Sequence, residues 1–67
     1  MRLTDARVQI PFANGERIYR ESEPKFVYYV EGGLIYKEVN DGGPKTRCVA
    51  APYRVEDWQA DDWEVVE

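Results

Sequence analysis

The chain is short and acidic, with 67 residues, nine basic against 13 acidic side chains and a formal net charge of −4. A single cysteine excludes an internal disulfide, and the lack of histidine removes the commonest general acid or base and a common zinc ligand. The acidic balance argues against a protein that grips the phosphate backbone of nucleic acids. We therefore predict a single small domain, residues 1–67, that is not an enzyme and uses no cofactor or metal.

Size and composition also bear on stability and location. A domain of this length buries only about 60% of the surface of its unfolded chain, so its own core is marginal. Self-association is then the expected stabiliser, so we predict a homo-oligomer, and a well-idealised monomer is the alternative. The unpaired cysteine fits a reducing compartment. The N-terminus lacks a signal-peptide pattern and no apolar run is long enough for a membrane helix, so we expect a cytoplasmic protein with no membrane partner.

The N-terminal segment favours a short helix. Leu3, Ala6 and Ile10 lie at offsets of three and four, as one face of a helix requires. Thr4 is a candidate N-cap residue, and Asp5 would then lie near the positive end of the helix.

A strand is the alternative for this segment, because Val8-Gln9-Ile10 alternates between apolar and polar side chains. Pro11 is expected to end either element. Asn14-Gly15 then predicts a turn, and Arg17 to Arg20 predicts a short strand.

The middle of the chain predicts a β-hairpin. Phe26 to Glu31 is rich in β-branched and aromatic residues, Gly32-Gly33 suits a two-residue turn, and Leu34 to Val39 forms the returning strand. A two-residue turn fixes the register, which places Tyr29 opposite Tyr36. That pair either stabilises the hairpin or forms the floor of a binding site.

Alternation of side chains divides this hairpin into two faces. The core face is predicted to carry Phe26, Tyr28, Val30, Ile35 and Val39, with Lys37 at its margin. The second face is predicted to carry Val27, Tyr29, Glu31, Leu34, Tyr36 and Glu38.

The C-terminal third predicts a turn at Asn40 to Pro44, a strand from Arg47 to Ala51 that Pro52 ends, one helical turn over Val55 to Ala60 and a final strand from Trp63 to Val66. The predicted fold class is α+β, a small antiparallel β-sheet with a short N-terminal helix, and a mainly-β fold is the alternative.

Residues that could support catalysis are few. Ser22, the only serine, lacks the glycines of a nucleophile elbow. Cys48 lies in an apolar run and is predicted to be an inert core residue. Asp57 and Asp61 are four residues apart and share a face if the segment is helical, but a chain of this size hardly supplies the substrate cleft that a carboxylate pair needs.

Arginines near aromatic residues are the better candidates for a site. Arg17 and Arg20 flank Ile18-Tyr19, and Arg54 follows Pro52-Tyr53. Guanidinium groups bind phosphate and aromatic rings stack on bases, so these residue types could hold a nucleotide. The alternative is that the arginines pair with the surplus carboxylates at the surface.

Three stretches of the chain resemble one family. Glu56-Asp57 followed by Ala60 to Glu67 is similar to the closing Glu-Asp-Leu-Leu-Ala-Glu-Asp-Trp-Glu-Val-Val run of a family of small phage proteins. Ala13 to Arg20 resembles that family's step from helix to strand, and Phe26 to Val30 resembles its next strand. The family is the Thoeris anti-defence sponge family, which has anti-CRISPR relatives.

The resemblance implies a compact antiparallel sheet with an N-terminal helix that assembles into dimers or tetramers. It also implies a phage counter-defence protein of the host cytoplasm that traps a cyclic nucleotide-type immune signal, such as glycocyclic ADP-ribose, between protomers without cleaving it. On this basis the expected phosphate-binding residues are Arg17, Arg20 and Arg54, and the expected ring-stacking residues are Tyr29, Tyr36 and Trp58. Trp63 matches the family's tryptophan and is expected to be structural.

Two other functions remain open. After Arg54 the chain has six carboxylates and no basic residue, a charge pattern that could occupy a basic groove on a host defence nuclease or a CRISPR effector. The residues that would form that surface are Glu56, Asp57, Asp61, Asp62 and Glu64. The third possibility is a small structural or assembly subunit with no ligand.

Overall fold

The computed structural model describes residues 1–51 and 54–67. Its elements in chain order are helix α1 (Ala6–Ala13), strands β1 (Ile18–Arg20), β2 (Phe26–Glu31), β3 (Leu34–Val39) and β4 (Arg47–Val49), helix α2 (Val55–Gln59) and strand β5 (Trp63–Val65). The strands form an antiparallel sheet in the order β4-β3-β2-β1-β5. The predicted α+β class, a small antiparallel sheet with a short N-terminal helix, is confirmed.

The β2–β3 hairpin has the predicted register. Tyr29 pairs with Tyr36, and the ladder runs from the turn to the pair formed by Phe26 and Val39. Gly32 and Gly33 adopt φ angles of +59° and +80°, which side-chain-bearing residues rarely accept. The two glycines therefore hold the tight turn that sets which side chains share a face.

The core lies between α1 and one side of the sheet. Trp63 of β5 is fully buried and meets Tyr28 edge-on, with ring centroids 5.7 Å apart. Val8 and Ile18 are also fully buried. The buried apolar cluster consists of Leu3, Val8, Phe12, Ile18, Tyr28 and Trp63, with Phe26, Val30 and Ile35 packed at its edge. The predicted core face of the hairpin is thus confirmed for these residues.

The predicted core-facing side of α1 is wrong. Val8 and Phe12 point to the sheet, whereas Ile10 is 63% exposed. Leu3 is buried, but it lies before the helix begins. Val8 and Phe12 are also four residues apart, so they form an equally valid helical face, and the aromatic ring of Phe12 buries more apolar area than Ala6 would.

The predicted ends of α1 also need correction. Asp5, and not Thr4, is the N-cap residue, because its Oδ1 accepts a hydrogen bond from the Arg7 main-chain N–H at 2.9 Å. Pro11 lies inside the helix instead of ending it. Proline removes one main-chain donor, but the chain regains hydrogen bonds at once, since the Asn14 N–H donates to the oxygens of Ile10 and Pro11.

The second helix lies on the same side of the sheet as α1. The indole N–H of Trp63, on the core side, donates to the main-chain oxygen of Asp57 in α2. The predicted helical turn and final strand are confirmed here, and β4 ends earlier than predicted, at Val49. The predicted strand end at Pro52 lies outside the described residues. Among the residues described, the helices are all too short or too polar to cross a membrane.

Cys48 is exposed, so the prediction of a buried core residue is wrong. It lies on β4, a strand at the edge of the sheet whose three residues are all exposed. An edge strand beyond the reach of α1 has no layer to bury it, although its sequence is as apolar as that of a buried strand.

Candidate functional site

The side of the sheet that faces away from α1 is the first candidate site, and we call it the open face. No helix of the described residues covers it, yet Val27 and Tyr29 are only 2% and 6% exposed there. By alternation and register this face carries Tyr19, Val27, Tyr29, Glu31, Leu34, Tyr36, Glu38, Arg47, Val49 and Glu64.

Four side chains form a column across the open face, which we call the tyrosine stack. The rings of Tyr29 and Tyr36 are stacked with centroids 5.7 Å apart and an interplanar angle of 26°. The guanidinium carbon of Arg17 lies 4.4 Å from the centroid of Tyr29, and that of Arg47 lies 4.3 Å from the centroid of Tyr36. Each tyrosine ring is therefore covered on its outer side by a planar cation, a favourable arrangement.

Carboxylates balance the charge of both arginines. The Nε atom of Arg17 lies 3.5 Å from Oε2 of Glu38, and Arg47 pairs with Glu31. Arg47 also donates to the Tyr29 hydroxyl at 3.1 Å, and these two hydrogen bonds raise the pKa of its guanidinium. The side chains of Arg17 and Arg47 stay 47% and 45% exposed, so each still presents a polar, planar surface to solvent.

The structure brings three of the six predicted ligand-binding residues into this stack, namely Arg17, Tyr29 and Tyr36. Sequence reasoning missed Arg47. Its position depends on the pairing of β3 with β4, in which Arg47 lies opposite Glu38. The loop between those strands is too long to fix a register from sequence, so the only available signal was an arginine at the start of a predicted strand.

Arg20 and Arg54 lie elsewhere, in a cluster of ion pairs on the α1 side that we call the carboxylate cluster. The Nε atom of Arg20 donates to Oδ1 of Asp62 at 3.0 Å, and its NH1 lies 3.5 Å from Oδ1 of Asp57. Arg54 contacts both oxygens of Asp57 at 3.3 Å and reaches Glu23 at 3.4 Å. These contacts link α2 and the start of β5 to β1 and the loop that follows it.

The central side chains of the carboxylate cluster are buried or nearly so. The side chain of Asp57 is 1% exposed and that of Arg20 is 17% exposed. Burial alone would raise the pKa of Asp62, but hydrogen bonds from Arg20 and from the Ser22 main-chain N–H outweigh it and lower that pKa to about 2. Arg20 and Arg54 thus act as structural partners of carboxylates, which is the alternative that the sequence left open.

The predicted acidic surface is smaller than expected. Asp57 and Asp62 belong to the carboxylate cluster, while Glu56 and Asp61 are exposed and Glu64 is half-buried on the open face. Trp58 lies on α2 with 43% of its surface exposed. Because α2 is on the α1 side, the sheet separates Trp58 from the tyrosine stack.

The open face also has a cavity of about 360 Å³ next to the stack. It is lined by Tyr19, Pro24, Val27, Asn40, Val66 and Glu67. Its volume is at the lower end of the ~300–1,000 Å³ that small-molecule sites occupy. Within residues 1–51 and 54–67, no group of three or more acidic or cysteine side chains is placed to hold a metal ion.

No protein-family model matches this chain, and no curated protein or solved structure is significantly similar to it.

Proposed function

We propose that this chain is a non-catalytic binding protein that sequesters a nucleotide-type signalling molecule on the open face of its sheet. The observation that supports the proposal most directly is the tyrosine stack, in which Arg17 and Arg47 lie over Tyr29 and Tyr36 at 4.4 and 4.3 Å from the ring centroids. Together with the resemblance to the phage sponge family, this suggests a counter-defence protein of the host cytoplasm.

The stack suits a ligand with a planar base. A base stacks on an arginine guanidinium as well as on an aromatic ring, and both guanidinium groups are half-exposed. Since each arginine already pairs with a carboxylate, most of the affinity would come from stacking and from hydrogen bonds, and less from net charge. The neighbouring cavity of about 360 Å³ provides room for a ribose or a second base.

The uncovered sheet face also supports self-association, as a dimer or a tetramer. Leu34 and Val49 are 48% and 62% exposed on this face, where a second protomer would bury them. A face-to-face pair of sheets would enclose the ligand between two tyrosine stacks and exclude water from it. Retention without cleavage then needs only stacking and hydrogen bonds.

Native mass spectrometry tests this proposal. The protein is mixed with a panel of cyclic and linear nucleotides, and the expected result is an oligomer that retains one nucleotide mass. Arg17→Ala should reduce retention roughly tenfold, because one of the two guanidinium groups on which a base could stack is lost. Arg2→Ala removes the same charge at an exposed position away from the stack and should retain the ligand like the wild type. An oligomer that keeps no nucleotide would refute sequestration.

Direct inhibition of a basic host defence protein is the second candidate. It rests on Glu56 and Asp61, which keep exposed carboxylates on the α2 side. This function predicts a salt-sensitive complex with a nuclease or CRISPR effector and no nucleotide retention. Glu56→Gln combined with Asp61→Asn should weaken that complex. A structural or assembly subunit would show neither behaviour.

A further inference from the structure

A second cavity, of about 380 Å³, lies at the margin of the sheet, and we call it the Phe26 cavity. Phe26, Lys37, Val39 and Cys48 alternate onto the α1 side, so most of its wall is on the other side of the sheet from the tyrosine stack. Its lining consists of Phe26, Lys37, Val39, Thr46, Arg47 and Cys48. None of these six residues is acidic, in a protein whose net charge is −4.

Lys37 lines this cavity, and Lys25, which is not part of the lining, lies against the ring of Phe26. The ammonium nitrogen of Lys37 lies 4.1 Å from the ring centroid of Phe26, and that of Lys25 lies 5.1 Å from the same centroid. Lys37 is also 5.8 Å from the centroid of Tyr28. The π-faces attract both cations but neutralise neither of them.

The basic side chains of the chain divide into those that pair with a carboxylate and those that do not. Within the part of the chain that the structure describes, Arg7, Arg17, Arg20, Arg47 and Arg54 each form an ion pair with a carboxylate. Neither Lys25 nor Lys37 does so among those residues. Arg2 and Lys45 also lack an ion pair among the described residues, but of these four cations only Lys25 and Lys37 lie against the Phe26 ring.

We infer that the Phe26 cavity binds a small organic phosphate. The phosphate group would lie against Lys37, with Lys25 beside the same ring, since lysine is a compact cation that binds phosphate as a point charge. Phe26 and Val39 would contact the carbon part of the ligand, and the Thr46 hydroxyl is available as a donor. A volume of about 380 Å³ exceeds what inorganic phosphate needs and suits a sugar phosphate or a mononucleotide.

This inference goes beyond the proposed function and does not depend on it. The tyrosine stack is on the opposite face, and among the residues of the stack Arg47 alone also lines the Phe26 cavity. Substitutions at Lys37 and at Arg17 therefore test the Phe26 cavity and the tyrosine stack independently.

Cys48 offers a direct readout, because it is exposed and lines the cavity. The rate of its alkylation by N-ethylmaleimide, a neutral reagent, is measured with ribose 5-phosphate, with inorganic phosphate and with ribose, at constant ionic strength. Ribose 5-phosphate at about twice its dissociation constant should slow alkylation roughly threefold, by occupancy. Ribose should have no effect. Equal rates with ribose 5-phosphate and ribose would overturn the inference, and equal protection by inorganic phosphate would exclude an organic ligand.

Lysine variants test whether the protection of Cys48 from alkylation depends on Lys25 and Lys37. Lys37→Met keeps the length of the side chain, removes its charge and should abolish protection. Lys45→Met removes one charge from a residue that neither lines the cavity nor lies against the Phe26 ring, and it should be protected like the wild type. Lys25→Met, at an exposed position, provides a second variant that should weaken protection even if Lys37→Met fails to fold. Protection that persists in both Lys25→Met and Lys37→Met would overturn the inference. Arg17→Ala should reduce nucleotide retention on the open face and keep Cys48 protection.

Discussion

The indole N–H of Trp63 donates a hydrogen bond to the main-chain oxygen of Asp57 at 2.9 Å. This bond joins β5 to α2 across a short connection, and the Trp63 ring is fully buried against Tyr28. The bond orients α2 so that the Asp57 side chain points towards Arg20 and Arg54. One tryptophan thus contributes to both the apolar core and the carboxylate cluster.

Trp63→Phe should be strongly destabilising. The change removes the indole donor, leaves the Asp57 oxygen without that partner and opens a cavity, at a combined cost of about 2–4 kcal/mol in the free energy of unfolding. Urea denaturation followed by far-ultraviolet circular dichroism measures the loss. Trp58→Phe is the matched control, because Trp58 is 43% exposed, and it should cost much less. Equal losses in the two variants would contradict the structural role of Trp63.

Asp57→Asn tests the carboxylate cluster. The side chain of Asp57 is 1% exposed, and it accepts hydrogen bonds from two arginines. Removing its charge takes one negative partner from both guanidinium groups, although Arg20 still pairs with Asp62 and Arg54 still pairs with Glu23. We expect a loss of about 2–3 kcal/mol in the free energy of unfolding.

Asp61→Asn is the control for that experiment, since it makes the same chemical change at an exposed position. It should alter the free energy of unfolding by no more than about 0.5 kcal/mol. If Asp57→Asn were equally mild, Asp57 would belong to the solvated acidic surface that the sequence first suggested.

The hairpin was predictable because its determinants are local. Gly32-Gly33 sets the turn, the turn sets the register, and alternation sets the faces, so Tyr29 lies opposite Tyr36 as predicted. The stacked tyrosine pair could therefore be located from sequence. The two arginines that cover it could not both be found this way, because Arg47 reaches Tyr36 only through the β3–β4 pairing.

The partners of the arginines depend on contacts between residues that are distant in sequence. Arg20 and Asp62 are 42 residues apart, and no periodic pattern links them. Composition predicted that carboxylates outnumber basic groups, but it could not assign particular pairs. For the same reason the sequence could not show that two lysines without an ion pair, Lys25 and Lys37, lie against the same phenylalanine ring.

Asp5→Ala should destabilise α1 because Asp5 is its N-cap residue. The loss of the hydrogen bond from the Arg7 N–H and of the Arg7 ion pair should lower the free energy of unfolding. Thr4→Ala, at the neighbouring position first considered as the cap, should leave stability nearly unchanged. Urea denaturation of the two variants decides between the capping positions, and a larger loss in Thr4→Ala would contradict the structure.

Acidification should destabilise the protein between about pH 4 and pH 2. Hydrogen bonds from Arg7 lower the pKa of Asp5 to about 2, and hydrogen bonds from Arg20 and Ser22 overcome the opposing effect of burial and lower the pKa of Asp62 to about 2, both from 3.8. Both pKa values are lower in the folded chain than in the unfolded chain, so the unfolded chain binds more protons in this range. The stabilisation is therefore complete above about pH 4 and is lost as the pH falls towards 2.

Urea denaturation at a series of pH values from about 5 to about 2.5 measures this loss as a falling free energy of unfolding. Asp62→Asn should be less stable than the wild type at the upper end of the series, and its stability should fall less steeply, because one of the two depressed carboxyl groups is gone. Asp61→Asn, at an exposed position, should follow the slope of the wild type. A wild-type slope in Asp62→Asn would show that the Arg20–Asp62 ion pair does not contribute to stability in solution.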